Sequence, residues 1–145
     1  MSDKKDCIFC KIIKGEIPCY KVYEDEDFFA MLDIHPVNPG HLLLMPKKHS
    51  DTFLETDDKI IEKIFVVAKK LAESISRPLK TNDFSFTINN GELAGQIVQH
   101  LHIHIIPRFK EDNFINWPNK ALSDEEMKKI TEKIKNSLKE KTTQF

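Results

Sequence analysis

The stretch HLHIHII, residues 100–106, places three of the chain's six histidines at alternate positions. Leu101, Ile103 and Ile105 fall between and after them. Alternation of this kind has the period of a β-strand, whose successive side chains point to opposite faces. On a strand the three imidazoles would form a row spaced by ~6.5–7 Å, with the aliphatics anchored in a core on the other side. The plainer reading is a solvated polar face. Such faces are usually built from Lys, Glu and Thr, so three histidines point instead to a site. Imidazole serves as nucleophile, proton carrier or metal ligand near neutral pH.

The surrounding pattern gives this strand a sheet. Tyr20–Tyr23 and Phe28–Asp33 read as two strands joined by the acidic turn EDED. HPVNPG, residues 35–40, is a loop, and HLLLMP after it is a short buried strand stopped by Pro46. Residues 57–76 carry apolar side chains at helical spacing, from Ile60 and Ile64 to Leu71 and Ile75, with Asp57 and Asp58 at the positive end. Phe84, Phe86 and Ile88 alternate with polar neighbours as another strand. SDEE at 123–126 opens a last helix through Met127, Ile130, Ile134 and Leu138, and the lysine-rich tail 135–145 is expected to fray. The expected fold class is α+β, on an antiparallel sheet with one central and one terminal helix.

The chain has 145 residues, enough for one domain with a buried core. Its net charge of -1 speaks against a protein that grips nucleic acid through many phosphates, but leaves room for one nucleotide in a pocket. No apolar run is long enough for a bilayer, and MSDKKDC lacks the apolar centre of a signal peptide. A cytoplasmic location is expected, where three cysteines suit ligands or thiols better than disulfides.

The loop NNGELAGQIVQ runs directly into the histidine segment. Gly91 and Gly95 let backbone N–H groups approach an anion, and Asn89 and Gln96 add neutral donors. Donors beside imidazoles suit a phosphate whose charge grows in a transition state. Cys7 and Cys10 form a C-x-x-C pair, which by itself is ambiguous among zinc, redox and accident.

Taken together, HLHIHII, DCIFCKIIKGEIP, LDIHPVNPGHLLLMPKKH and NNGELAGQ resemble the histidine triad (HIT) family of nucleotide hydrolases and transferases, bacterial-type, over about residues 6–110. The resemblance implies one HIT domain over 1–145, with a helical extension at about 123–141. It implies a five-stranded antiparallel sheet, extended across a homodimer.

It further implies cleavage at the α-phosphorus of a purine nucleoside derivative, a phosphoramidate or a dinucleoside polyphosphate, through a nucleotidyl-histidine intermediate. In that reading His102 is the nucleophile. His104 and His41 lie at the phosphate, and Gln96 belongs to the same catalytic set. Asp33 pairs with the ribose hydroxyls, Ile8, Phe9, Met31 and Ile34 wall the base, and Asn89, Gly95, Gln96 and Ile97 form the phosphate loop. Ile97 departs from the Ser or Thr of many relatives, so it offers a backbone N–H but no hydroxyl.

Cys7, Cys10, His49 and His100 match the ligands of one structural Zn2+ per chain, a closed tetrahedral set. The competing expectations are an open-site metal hydrolase using His102 and His104, and a nucleotide sensor or partner module with negligible turnover.

Overall fold

The computed structural model describes residues 4–114 and 117–142. The chain divides into two compact units, 1–113 and 114–145. The first holds a five-stranded sheet in the order β1-β2-β3-β5-β4, every neighbouring pair antiparallel. The strands are β1 (Lys21–Glu24), β2 (Phe28–Leu32), β3 (Leu42–Pro46), β4 (Phe84–Thr87) and β5 (Ile103–Pro107). This is the expected α+β class.

Asp25 makes the acidic turn between β1 and β2, its Oδ1 accepting the N–H groups of Asp27 at 2.8 Å and Phe28 at 2.7 Å. Helix α2 (Asp58–Leu79) runs three residues past the predicted end, through Pro78, and stops with Lys80 in the left-handed conformation. Proline clashes with the turn before it, so it sits only in the last turn here.

Every residue of β3 is buried, because both faces of the sheet are covered. On one face Leu42, Leu44, Ile103, Ile105, Phe28 and Ala30 pack on Ile64, Ala68, Leu71 and Ala72 of α2. On the other, Phe29, Met31, Leu43 and Met45 pack on Cys7, Phe9, Cys10 and Ile12. Those four belong to α1 (Ile8–Ile13) and its N-cap, a helix that the sequence reading treated only as a short apolar segment. Gly40 enters β3 at φ +87°, and a Cβ there would collide with the Leu79 side chain, so the turn requires glycine.

The predicted strand 100–106 needs correction. The ladder of β5 begins only at Ile103. Before it the backbone finds other partners: the Leu101 N–H donates to Ser50 O at 2.9 Å and the His100 N–H to Val98 O at 2.9 Å. The chain is drawn towards the loop after β3, and His100 leaves the regular row.

In the second unit, α3 (Asp124–Thr142) opens with the expected capping box. Ser123 N–H donates to Glu126 Oε2 at 2.8 Å and Glu126 N–H to Ser123 Oγ at 3.2 Å. Helix persists to Thr142 where fraying was expected, and residues 143–145 of that tail lie outside the described residues.

Candidate active site and metal centre

Two groups of side chains converge where residues 100–104 pass between α1 and the sheet. The first is Cys7, Cys10, His49 and His100, whose ligand atoms all lie within 4.8 Å of one another. Cys7 is the N-cap of α1, its Sγ accepting the Cys10 N–H at 3.4 Å, so C-x-x-C spans one helical turn with both sulfurs on one side. His49 comes from the loop after β3 and His100 from the segment before β5. The four were predicted as one set, and the fold brings them together.

Four of the six distances match the edges of a tetrahedron. His49 Nδ1 is 3.1 Å from His100 Nδ1; the Cys10 Sγ lies 3.3 Å from His49 Nδ1 and 3.5 Å from His100 Nδ1; Cys7 Sγ is 3.4 Å from His100 Nδ1. With Zn–N of about 2.0 Å and Zn–S of about 2.3 Å, tetrahedral edges come to about 3.3 and 3.5 Å.

The tautomers agree. His100 Nε2 lies 2.7 Å from Pro46 O, and a carbonyl only accepts, so Nε2 carries the proton. His49 Nε2 donates in the same way to Asp51 Oδ1 at 2.6 Å. Both Nδ1 lone pairs therefore face each other and the sulfurs, an arrangement that a bound cation stabilises and outer acceptors orient. Burial pushes His100 down to about 4, against the Pro46 carbonyl, so its ring is neutral. A zinc ion held here would tie three chain segments together. Asp51 was missed as a partner, although its place two residues after His49 was visible.

The second group is Asp33, His41 and His104, joined by His102. His41 Nε2 is 3.0 Å from His104 Nδ1 and 3.5 Å from Asp33 Oδ2, while His104 Nδ1 is 3.9 Å from the same oxygen. The His102 and His104 rings sit edge to face with centroids 5.0 Å apart, and Phe9 packs edge-on against His102 at 5.1 Å. His102 is buried, and its Nδ1 donates to His100 O at 2.7 Å. Its Nε2 consequently carries the lone pair. Burial holds His41 and His102 below the usual imidazole value, opposed by Asp33 at His41 and by the His100 carbonyl at His102. Burial, with neighbouring His102 and His41, pushes His104 down to about 4 against the pull of Asp33. At neutral pH all three rings are uncharged.

Within this second group His41 is not set as a metal ligand. The backbone N–H of Val37 donates to His41 Nδ1 at 3.0 Å, so the neutral ring must keep its proton on Nε2, the atom a metal would need. His102 Nδ1 donates to a carbonyl, which leaves the His102 lone pair on Nε2.

The remaining predicted residues divide. Phe9 and Met31 are buried on the α1 side of the sheet, whereas Ile8 is half-exposed and Ile34 exposed. Asn89 Nδ2 donates to Gly95 O at 3.5 Å across the loop, where Gly95 adopts φ +89°. Ile97 is 91% exposed, so its apolar side chain stands in solvent.

Gln96 requires correction as a catalytic donor. Its Nε2 donates to Asp51 O at 2.6 Å and Val98 O at 3.0 Å, and its Oε1 accepts the Gly91 N–H at 2.8 Å. The amide is consumed in holding the loop against the segment after β3. A buried amide with three bonds to backbone is a brace, and Gln96 fixes the shape of the loop around Gly91 and Gly95.

The sheet thus sets His41, His102 and His104 side by side, with the lone pair of His102 on Nε2. The family profile of the HIT domain matches residues 14–111, and the chain belongs to the HIT family. It is 38% identical over 135 residues to the adenosine 5'-monophosphoramidase hnt1 of Schizosaccharomyces pombe, an alignment covering 92% of this chain and 98% of that one. The crystal structure of SMU.412c from Streptococcus mutans superposes with a TM-score of 0.88 at 36% identity, covering 94% of this chain and 88% of that one. A zinc-bound histidine triad family protein from Mycobacterium smegmatis is similar with a TM-score of 0.73 at 32% identity, over 80% of this chain and 84% of that one. No helix among the described residues is long and apolar enough to cross a membrane.

Proposed function

We propose that the chain is a nucleotide hydrolase that cleaves at the α-phosphorus of a purine nucleoside derivative. The observation that carries this reading is the pair of adjacent rings, His102 with a bare Nε2 and His104 5.0 Å away. His102 Nε2 attacks phosphorus, the bond to the leaving group breaks, and the leaving group departs with a proton drawn from solvent. The phosphorylated ring is cationic, and its Nδ1–H still points at the His100 carbonyl, which stabilises that charge. Water then attacks the same phosphorus, the P–N bond breaks, and the nucleoside monophosphate leaves. His104 serves the phosphate side with His41 behind it, Asp33 the ribose, and Phe9, Met31, Ile8 and Ile34 the base. Asn89, Gly95 and the Ile97 backbone cradle the phosphate.

The named activity of the fission-yeast relative makes an adenosine phosphoramidate the first substrate to try, ahead of dinucleoside polyphosphates. Cys7, Cys10, His49 and His100 hold one structural zinc ion in this reading. Thiolate ligands suit a reducing compartment, so the cytoplasm is the proposed location.

The test is turnover of an adenosine phosphoramidate, a diadenosine polyphosphate and a nucleotide sugar by wild type and His102→Ala. AMP release should fall by on the order of 10³-fold or more in the variant, with AMP binding within a few-fold of wild type. Wild-type binding without turnover of any substrate would move the reading to a nucleotide sensor.

A second copy of the chain is the proposed partner. Strand β4 is a sheet edge, and Phe86 on it is half-exposed beside a groove shared with Phe65 and Ala72 of α2. Unpaired edges with apolar side chains invite pairing. Phe86→Asp should convert a dimer into a monomer by light scattering; a wild-type monomer would remove the dimer from the proposal.

A further inference from the structure

We propose that His41 is a positioning residue that fixes the tautomer of His104, and that the constraint originates in the backbone N–H of Val37. The functional consequence rests on the hydrolase reading above, but the proton positions belong to the free protein. A backbone amide can only donate. Val37 N lies 3.0 Å from His41 Nδ1, so that nitrogen accepts and the single proton of the neutral ring sits on Nε2. His41 is 3% exposed, which leaves little room for water to substitute. From Nε2 two acceptors are in range, His104 Nδ1 at 3.0 Å and Asp33 Oδ2 at 3.5 Å. The shorter contact takes the proton. His104 Nδ1 therefore accepts, and the proton of His104 resides on Nε2.

The relay opposes a competitor. Asp33 Oδ2 is 3.9 Å from His104 Nδ1 and would draw a proton onto that nitrogen if His41 did not donate there. With the relay intact, His104 offers an N–H from Nε2 while His102 offers a lone pair from its own Nε2. One ring is set by a carbonyl two residues back, the other by an amide four residues before His41.

The sequence between Asp33 and His41 is built to hold that amide still. Pro36 and Pro39 restrict φ on either side of Val37. The His41 N–H closes the turn on Asn38 O at 3.1 Å. Asn38 Nδ2 donates to Pro107 O and to Asp112 Oδ2, each at 2.9 Å, fastening the turn to the end of β5.

The experiment is nitrogen-15 NMR of the imidazoles in the free protein, which separates protonated from bare ring nitrogens, together with kcat and KM on the adenosine phosphoramidate. Wild type should show His41 and His104 protonated on Nε2 and His102 on Nδ1. In His41→Leu the His104 proton should move to Nδ1, with kcat down on the order of 10²-fold and KM within about threefold. His41→Gln, whose amide can still donate from the same end, should restore the Nε2 proton and most of kcat. Val37→Pro removes the originating N–H while keeping every side chain of the group, and should free the His41 tautomer even where His41→Leu fails to fold. A His104 ring that stays protonated on Nε2 in both His41→Leu and Val37→Pro overturns the relay. Correct wild-type tautomers without turnover would leave the relay standing and remove the hydrolase reading alone.

Discussion

Two imidazole clusters lie four residues apart on one short segment, and they are wired in opposite senses. Around His49 and His100 the outer nitrogens meet acceptors, the Asp51 carboxylate and the Pro46 carbonyl, so lone pairs are forced inward. Around His41 the outer nitrogen meets a donor, the Val37 amide, so an N–H is forced inward. The same side chain is set to offer a lone pair in one place and an N–H in the other. What decides is the atom behind the ring, which is mostly backbone.

The largest effect that would break this comparison is removal of the first cluster. Cys7→Ser with Cys10→Ser should abolish zinc binding and lower the melting temperature by on the order of 10 °C, since metal binding to such a site is folding free energy. Wild type should bind one zinc ion per chain by elemental analysis. Two per chain would mean that Asp33, His41 and His104 hold metal after all.

An intermediate effect sharpens it through pH. His104 is pushed from 6.5 down to about 4, with burial the main cause and His102 and His41 adding to it. The unfolded chain then binds this proton more readily than the folded one. The contribution is therefore fully present above about pH 6.5 and drains away as pH falls towards 4, on the order of 3 kcal/mol in all. Urea midpoints from pH 7 to pH 4.5 should fall less steeply for His104→Gln than for wild type; parallel slopes would sink the assignment.

The smallest effect concerns the ligand. Asp33→Ala should weaken a ribonucleotide about tenfold, the worth of one charged hydrogen bond, and its 2′,3′-dideoxy analogue hardly at all. Equal losses would show that Asp33 serves only the histidines.

Much of this was legible beforehand because it depends on residue type and spacing. His102 and His104 beside a glycine loop could be read that way, whereas Cys7, Cys10, His49 and His100 came together as one set only through the family resemblance. The strand at 84–87 followed from alternation, and that at 28–32 from a short apolar run bounded by the acidic turn. What was hidden has a common cause. Helix α1, IFCKII, is too short and too uniformly apolar to show a 3.6-residue period, and its cap is a cysteine rather than Ser or Asp. The start of β5 at Ile103 depends on Ser50 O capturing the Leu101 N–H, a long-range backbone bond with no mark in the side chains. Gln96 looked like a phosphate donor because its type allows it; three backbone contacts already occupy it. Backbone groups at Val37, Pro46 and His100 set the rings of His41, His100 and His102, and a sequence does not display them.

Strand β3 carries a consequence for inheritance. Its odd and even residues answer to different neighbours: Leu42 and Leu44 to α2, Leu43 and Met45 to the cysteine helix beside the chemistry. Truncation at any of them should cost roughly 2–5 kcal/mol. At the even positions that cost would thin the population of folded molecules while each survivor works normally. At the odd positions the survivors themselves would be impaired. Along a run of near-identical leucines, fitness under mutation would thus alternate in kind, abundance then competence, with the period of the pleat.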